Sequence, residues 1–278
     1  MVFTTPANGA ELGASSFRSV PDMWHHRCHS TPDAEAMRYL DEGEWEGMSW
    51  RQAEAFSRQV ACGLLELELE PEGRCAILSE TRATWILVDL GILCAGGATT
   101  TIYPTSTPEE CEYILDDCGA AHVFCDTMDQ VDKLRSIRDR IPGVRSVIVF
   151  EGEASEDGWV RTLDELRDAG RDFDEAHPSA YADAHGAIGP DRLATLIYTS
   201  GTTGLPKGVM LTHDSWVYEA AAIDALGIVS PADRQFLFLP LSHVLAKIMQ
   251  VVFIRLGVPT VVDGSIDRLL VHLAETQP

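Results

Sequence analysis

The sequence predicts an α/β protein in which parallel sheets are sandwiched between helices. Three observations lead there. From Arg74 to Phe150, β-rich apolar runs alternate with helical patterns, and such alternation builds parallel strands covered on both faces. The composition, 45% apolar and 23% charged over 278 residues, is that of a soluble globular chain and excludes collagen-like, low-complexity and disordered classes. The length gives room for one large or two ordinary domains.

Taken in order, residues 1–17 read as a polar lead-in. A short helix is predicted over Pro21–His29, then extended segments at Ala34–Leu40 and Glu44–Met48. Ser49 can cap a helix running from Trp50 to about Leu67, because Ala53, Phe56, Val60, Leu64 and Leu65 recur at helical spacing and form one apolar face. Arg74–Ser79 reads as a buried strand, Ala83–Ala95 as a helix and Thr99–Tyr103 as a strand. Thr107-Pro108-Glu109-Glu110 is a helix start: the hydroxyl caps, Pro fits the first turn and Glu110 can reach back. That helix is expected to end near Asp117, before Gly119. A strand at Ala121–Cys125, a helix at Val131–Arg140 and a strand at Val144–Phe150 follow. The acidic stretch 151–190 is read as a helix at Leu163–Ala169 within a long exposed connection. Strands at Leu193–Thr199 and Val209–Thr212 then flank a glycine loop. Beyond it come a helix at Ser215–Leu226, a strand at Gln235–Leu239, a helix at His243–Leu256, a strand at Thr260–Val262 and a helical Ile266–Glu275.

The formal net charge of −22 repels phosphate backbones and anionic lipid heads, which argues against nucleic acid as a partner. An anionic ligand needs a local device. The seven cysteines, an odd number without a CxxC pair, read as reduced, buried thiols of a cytoplasmic protein. No basic and then apolar leader opens the chain. Neither greasy segment, Trp85–Gly96 nor Ile248–Val262, reaches the ~20 apolar residues of a membrane span.

One segment supplies the device: Tyr198-Thr199-Ser200-Gly201-Thr202-Thr203-Gly204-Leu205-Pro206-Lys207-Gly208. Glycines let successive backbone N–H groups point into one concavity, hydroxyls add uncharged donors, and Lys207 supplies a full positive charge. Lys207 also stands out as one of only three lysines, with Lys133 and Lys247, in a chain rich in arginine. The segment is not a Walker A loop, which ends Gly-Lys-Ser/Thr, because Pro206 precedes and Gly208 follows the lysine. A kinase of that type is therefore disfavoured.

The string YTSGTTGLPKGVMLTH at Tyr198–His213 resembles the signature of the AMP-forming adenylating superfamily, which comprises acyl- and aryl-CoA synthetases, firefly-type luciferases and peptide-synthetase adenylation domains. Tyr103-Pro104-Thr105-Ser106-Thr107-Pro108-Glu109-Glu110 and Phe238-Leu239-Pro240-Leu241-Ser242-His243-Val244 extend the resemblance to about residues 18–278. The second of these is similar to the version found in long-chain fatty acyl-CoA synthetases. The resemblance implies that ATP and a carboxylate form an acyl-adenylate, and that a thiol, usually of coenzyme A, takes the acyl group. It places Thr199, Ser200, Gly201, Thr202, Thr203, Gly204 and Lys207 around the leaving phosphates with Mg²⁺, and His243 near the junction of acyl group and nucleotide.

Departures are also visible. Ala246, followed by Lys247, stands where long-chain relatives often carry Glu, and no Asp lies between Phe236 and Gln250 to meet a substrate amine. The family's acidic Mg²⁺ ligand, ribose-binding Asp, hinge and catalytic-lysine domain have no counterpart before Pro278. The chain is thus expected to be the N-terminal portion of a longer enzyme and inactive alone. The resemblance further implies two intertwined subdomains, one of about 71–213 and one combining about 18–70 with 214–278. The activity it points to is an AMP-forming fatty-acid–CoA ligase acting on medium or long chains. The alternatives are an acyl-AMP ligase that loads a carrier protein and an inactive nucleotide- or partner-binding form. Elsewhere, His25 and His29 share a helix face as a possible metal pair, though a solvated or interface helix is the simpler reading. Asp116-Asp117 reads as a solvated face, and Trp85 and Tyr103 as core aromatics.

Overall fold

A computed structural model describes residues 17–199 and 205–278. The expected lead-in, apart from Phe17, and the loop residues Ser200, Gly201, Thr202, Thr203 and Gly204 lie outside the described residues. The chain forms α1 (Val20–Ser30), β1 (Glu35–Asp41), β2 (Glu44–Ser49), α2 (Trp50–Glu66), β3 (Arg74–Leu78), α3 (Ala83–Cys94), β4 (Ala98–Ile102), α4 (Pro108–Cys118), β5 (His122–Cys125) and α5 (Met128–Arg135). There follow β6 (Ser146–Val149), β7 (Val160–Thr162), α6 (Leu163–Ala176), α7 (Ala180–Gly186), β8 (Leu193–Thr199), β9 (Lys207–Thr212), α8 (His213–Leu226), β10 (Gln235–Leu237), α9 (Val244–Leu256), β11 (Thr260–Val262) and α10 (Leu269–Thr276).

The local signals act as read. Ser49 caps α2 and Thr107 caps α4, each in a reciprocal box with Gln52 and Glu110, and Gly119 ends α4 in the left-handed region at φ 65°. Two sheets result. The larger runs β7-β6-β5-β3-β4-β8-β9 and is parallel except for β9, which returns antiparallel to β8. The smaller runs β10-β11-β1-β2, with β2 antiparallel to β1. The period-2 alternation of a strand explains how the large sheet is covered on both faces. Cys75, Ile77, Phe124 and Ile148 join one core with α2, α3 and α6, whereas Ala76, Leu78, Val123 and Cys125 join a second core with α4 and α5.

The main correction falls on 151–190, which is not an open connection. It holds β7, a fourteen-residue α6 capped by Thr162 and Glu165, and α7. Leu163, Leu166 and Gly170 turn inward from α6 while Asp164, Glu165, Asp168, Asp172 and Glu175 face out, so the acidic composition concealed a narrow buried stripe. The helix expected at Val131–Arg140 starts earlier and divides into α5 and a 3₁₀ turn at Arg138–Arg140. All seven cysteines are buried and unpaired.

Candidate active-site cleft

The hairpin of β8 and β9 positions the glycine loop. Thr199 pairs with Lys207 at the last register position of the hairpin, so the two ends of the glycine string are anchored side by side at that sheet edge. Lys207 is exposed and forms no ion pair with a described residue. Two outside contacts steady the hairpin. Tyr113 donates its hydroxyl to the Pro206 carbonyl at 3.0 Å, and Tyr198 donates to Asp117 Oδ2 at 2.5 Å. Burial, with the Asp117 bond second, pushes the Tyr198 phenol far above its ordinary value, so it remains a neutral donor. Asp117 is therefore more than part of a solvated face.

His243 reaches the same region from the other sheet. It is the N-cap of α9, and its Nδ1 accepts a bond from Leu245 N–H at 3.3 Å, which leaves the neutral ring's proton on an exposed Nε2. The segment leading to it is tied to the C-terminal ends of β3 and β4. Thr81 Oγ1 donates to the Leu239 carbonyl (2.8 Å) and accepts from Leu241 N–H (3.1 Å), and Thr101 Oγ1 donates to the Ser242 carbonyl (3.1 Å). Open α/β sheets bind ligands at this end of their strands.

Between the hairpin and α9 lies a cleft of about 590 Å³, lined by Tyr103, Ile197, Tyr198, Thr199, Val209, Leu211, His243 and Val244. The structure thus brings Thr199 and His243, 44 positions apart in sequence, to one cavity. Tyr103 is not a core aromatic: it is half-buried and forms part of this wall, whereas Trp85 is fully buried as expected. A neighbouring hollow of about 460 Å³ shares Leu211 and Val244 and continues along Trp216, Tyr218 and Ile248.

Lys247 is a residue whose role the sequence reading missed. One turn beyond His243, it points away from the cleft and is fully buried. Its ammonium donates to Asp89 Oδ2 at 2.5 Å, and Gln250 donates to the same oxygen at 2.7 Å. The Trp85 and Trp216 rings flank it at 5.3 and 5.7 Å. Burial lowers its pKa, and Asp89 opposes that shift. Two signals could have found the pair: the rarity of lysine here, and a lone Asp89 inside an otherwise apolar helix.

The family model for AMP-binding enzymes matches residues 24–276. A long-chain-fatty-acid–CoA ligase of Bos taurus, ACSBG1, is 34% identical over 236 residues, covering 83% of this chain and 32% of the relative. Another, FadD15 of Mycobacterium tuberculosis, is 32% identical over 249 residues, covering 89% and 40%. The chain therefore spans about a third to two fifths of the length of these curated relatives. Among solved structures, FadD1 of Archaeoglobus fulgidus, a long-chain-fatty-acid–CoA ligase, superposes with a TM-score of 0.79 at 18% identity, over 93% of this chain and 50% of its own. The N-terminal domain of FACL13 from Mycobacterium tuberculosis does so at 0.77 and 24%, over 94% and 61%. Both likenesses concern the fold.

Proposed function

This chain belongs to the AMP-binding enzyme family, and from that premise we propose that it forms the phosphate-binding and acyl-binding part of an AMP-forming fatty-acid–CoA ligase. The observation that carries this reading is the single cleft between the Thr199–Lys207 hairpin and His243. ATP and a medium- or long-chain carboxylate are its first substrates, and coenzyme A accepts the acyl group.

Thr199, Ser200, Gly201, Thr202, Thr203 and Gly204 supply hydroxyl and backbone donors to the phosphates. Lys207 adds the charge that grows in value as the pyrophosphate leaves. His243 offers its Nε2–H beside the N-terminus of α9, where the helix dipole favours a carboxylate or adenylate oxygen. Ile197, Val209, Leu211 and Val244 form an apolar wall suited to an acyl chain. Mg²⁺, when bound with the nucleotide, neutralises phosphate charge. No carboxylate lines this cleft among the described residues, so from this wall only hydroxyls such as Thr199 could approach it. A division into subdomains of 71–213 and 18–70 with 214–278 is supported by the strand membership of the two sheets. A cytoplasmic setting is supported by seven unpaired thiols. Among the described residues, no helix is long and apolar enough to cross a membrane.

The test is pyrophosphate exchange driven by a long-chain fatty acid, in an enzyme of the relatives' full length that contains this chain. Loss of a contact made chiefly in the transition state is worth about 2–4 kcal/mol. Lys207→Ala should therefore slow exchange roughly thirty- to a thousand-fold, with only partial rescue by Lys207→Arg. Residues 1–278 alone should show none. Wild-type exchange by Lys207→Ala would exclude the hairpin as the phosphate cradle.

A further inference from the structure

On the side of the molecule formed by α1 and α2, three side chains converge that the ligase reading does not use. His25 and His29 stand one turn apart on α1, their rings 4.1 Å between centroids, and Glu54 faces them from the second turn of α2. Each offers one ligand atom, and the three atoms lie within 4.8 Å of one another. Glu54 Oε1 is 3.4 Å from His25 Nδ1 and 3.5 Å from His29 Nδ1. A tetrahedral ion with bonds of about 2.0–2.1 Å separates its ligands by about 3.3 Å, so these two spacings need almost no adjustment.

The scaffold beneath is already rigid. Trp24, next to His25, is fully buried and donates its indole N–H to Ser57 Oγ, one turn along from Glu54, at 3.1 Å. Its ring also meets Trp50 edge-on at 5.8 Å. The ligand-bearing faces of the two helices are therefore held in place before any ion arrives, which is what a metal site requires of its support. The site is open to solvent, since the His25 and His29 side chains are 46% and 60% exposed.

A second observation points the same way. His185 on α7 packs its ring 5.3 Å from that of His25, and its Nε2 is buried without a hydrogen-bond partner among the described residues. Buried polar atoms rarely go unpaired, and water carried by an ion held at His25 is one partner that would satisfy it.

We propose that His25, His29 and Glu54 form a binding site for Zn²⁺ or a similar borderline divalent ion, bridging α1 to α2. Two imidazoles and one carboxylate suit zinc rather than Ca²⁺ or Mg²⁺, which take oxygen ligands. Three protein ligands leave a fourth position for water. His29 Nδ1 also lies 2.9 Å from the His25 carbonyl, one turn back, and coordination through that nitrogen exchanges the carbonyl contact for the ion. The site is independent of the ligase assignment.

The experiment is calorimetric titration of the chelator-treated, tag-free chain with Zn²⁺ at neutral pH, together with Co²⁺ absorption and thermal unfolding. Saturable 1:1 binding, a four-coordinate Co²⁺ spectrum and a rise in Tm with zinc are expected. His29→Gln and Glu54→Gln should each weaken binding at least about tenfold and abolish the rise in Tm. His26→Gln, on the same helix but outside the cluster, should change neither. Both ligand variants alter partly exposed side chains, so they should fold, and their unfolding curves without metal provide the control. Absence of saturable binding, or binding that survives both ligand substitutions unchanged, would overturn the site.

Discussion

Lys247 shows how one residue's meaning depends on what surrounds it. It lies four residues after His243, in a helix whose other face forms the cleft wall, yet its ammonium is sealed between Trp85 and Trp216. A buried ion pair gains little over an apolar pair of similar volume, but removing one partner strands the other charge. Lys247→Met leaves the Asp89 carboxylate with Gln250 as its remaining donor. We expect it to cost about 3–5 kcal/mol in denaturant unfolding. The double substitution Asp89→Leu with Lys247→Met should recover most of that loss. If the double variant is as unstable as the single one, the pair is not the source of the cost.

Elements meet where backbones can approach, and α2 against α6 is the clearest case. Gly63 and Gly170 face each other across this crossing. A Cβ on Gly170 would lie 2.0 Å from the Gln59 carbonyl oxygen, and one on Gly63 would lie 2.4 Å from that of Leu166. A glycine in mid-helix is ordinarily improved by alanine, by roughly 1 kcal/mol. Here the sign should reverse, because backbone atoms cannot step aside as a side chain can. Gly170→Ala is expected to destabilise the chain by about 1–3 kcal/mol, read as a lower Tm. A Tm at or above wild type would show that the crossing has slack. The helix expected at Leu163–Ala169 runs on through this glycine to Ala176. A glycine after a periodic run reads as a stop, and only the facing helix reveals it as a point of close contact.

For the molecule as a whole, two buried histidines on different elements contribute to acid sensitivity. His213 begins α8, accepts the Val20 N–H at its Nδ1, and is held down to about 4 chiefly by burial. His122, in the large sheet, bonds Ser146 through Nδ1 and is also lowered to about 4, by burial and then by Arg145. Both are neutral in the folded state. The unfolded chain binds their protons from about pH 6.5 downward, whereas the folded chain resists until about pH 4. Stability should therefore fall as pH drops through that window, by up to about 3 kcal/mol per histidine. Unfolding free energies measured across it should show this slope, and His213→Asn should roughly halve it, leaving the part that His122 contributes. A profile that stays level between the two values would refute the assignment.

The local chemistry of the chain was legible without coordinates. Ser49 and Thr107 name their helix starts, Gly119 names a helix end, and the alternation from Arg74 to Phe150 names a parallel sheet, because caps and periodicity act within a few residues of sequence. The hydroxyl–glycine string from Thr199 to Lys207 is likewise a local pattern, and so is the pairing of His25 with His29, whereas His243 entered only through the family resemblance. Tertiary structure alone decided what these groups meet. It set Thr199 and His243 on one cleft, moved Tyr103 from presumed core to cleft wall, gave Lys247 its carboxylate 158 residues away, and brought Glu54 to the two histidines. The reason is physical. Capping and amphipathic faces depend on neighbours three or four residues apart, whereas a cleft or a buried ion pair depends on which surfaces the two sheets and their covering helices bury together, and no short window of sequence contains that information.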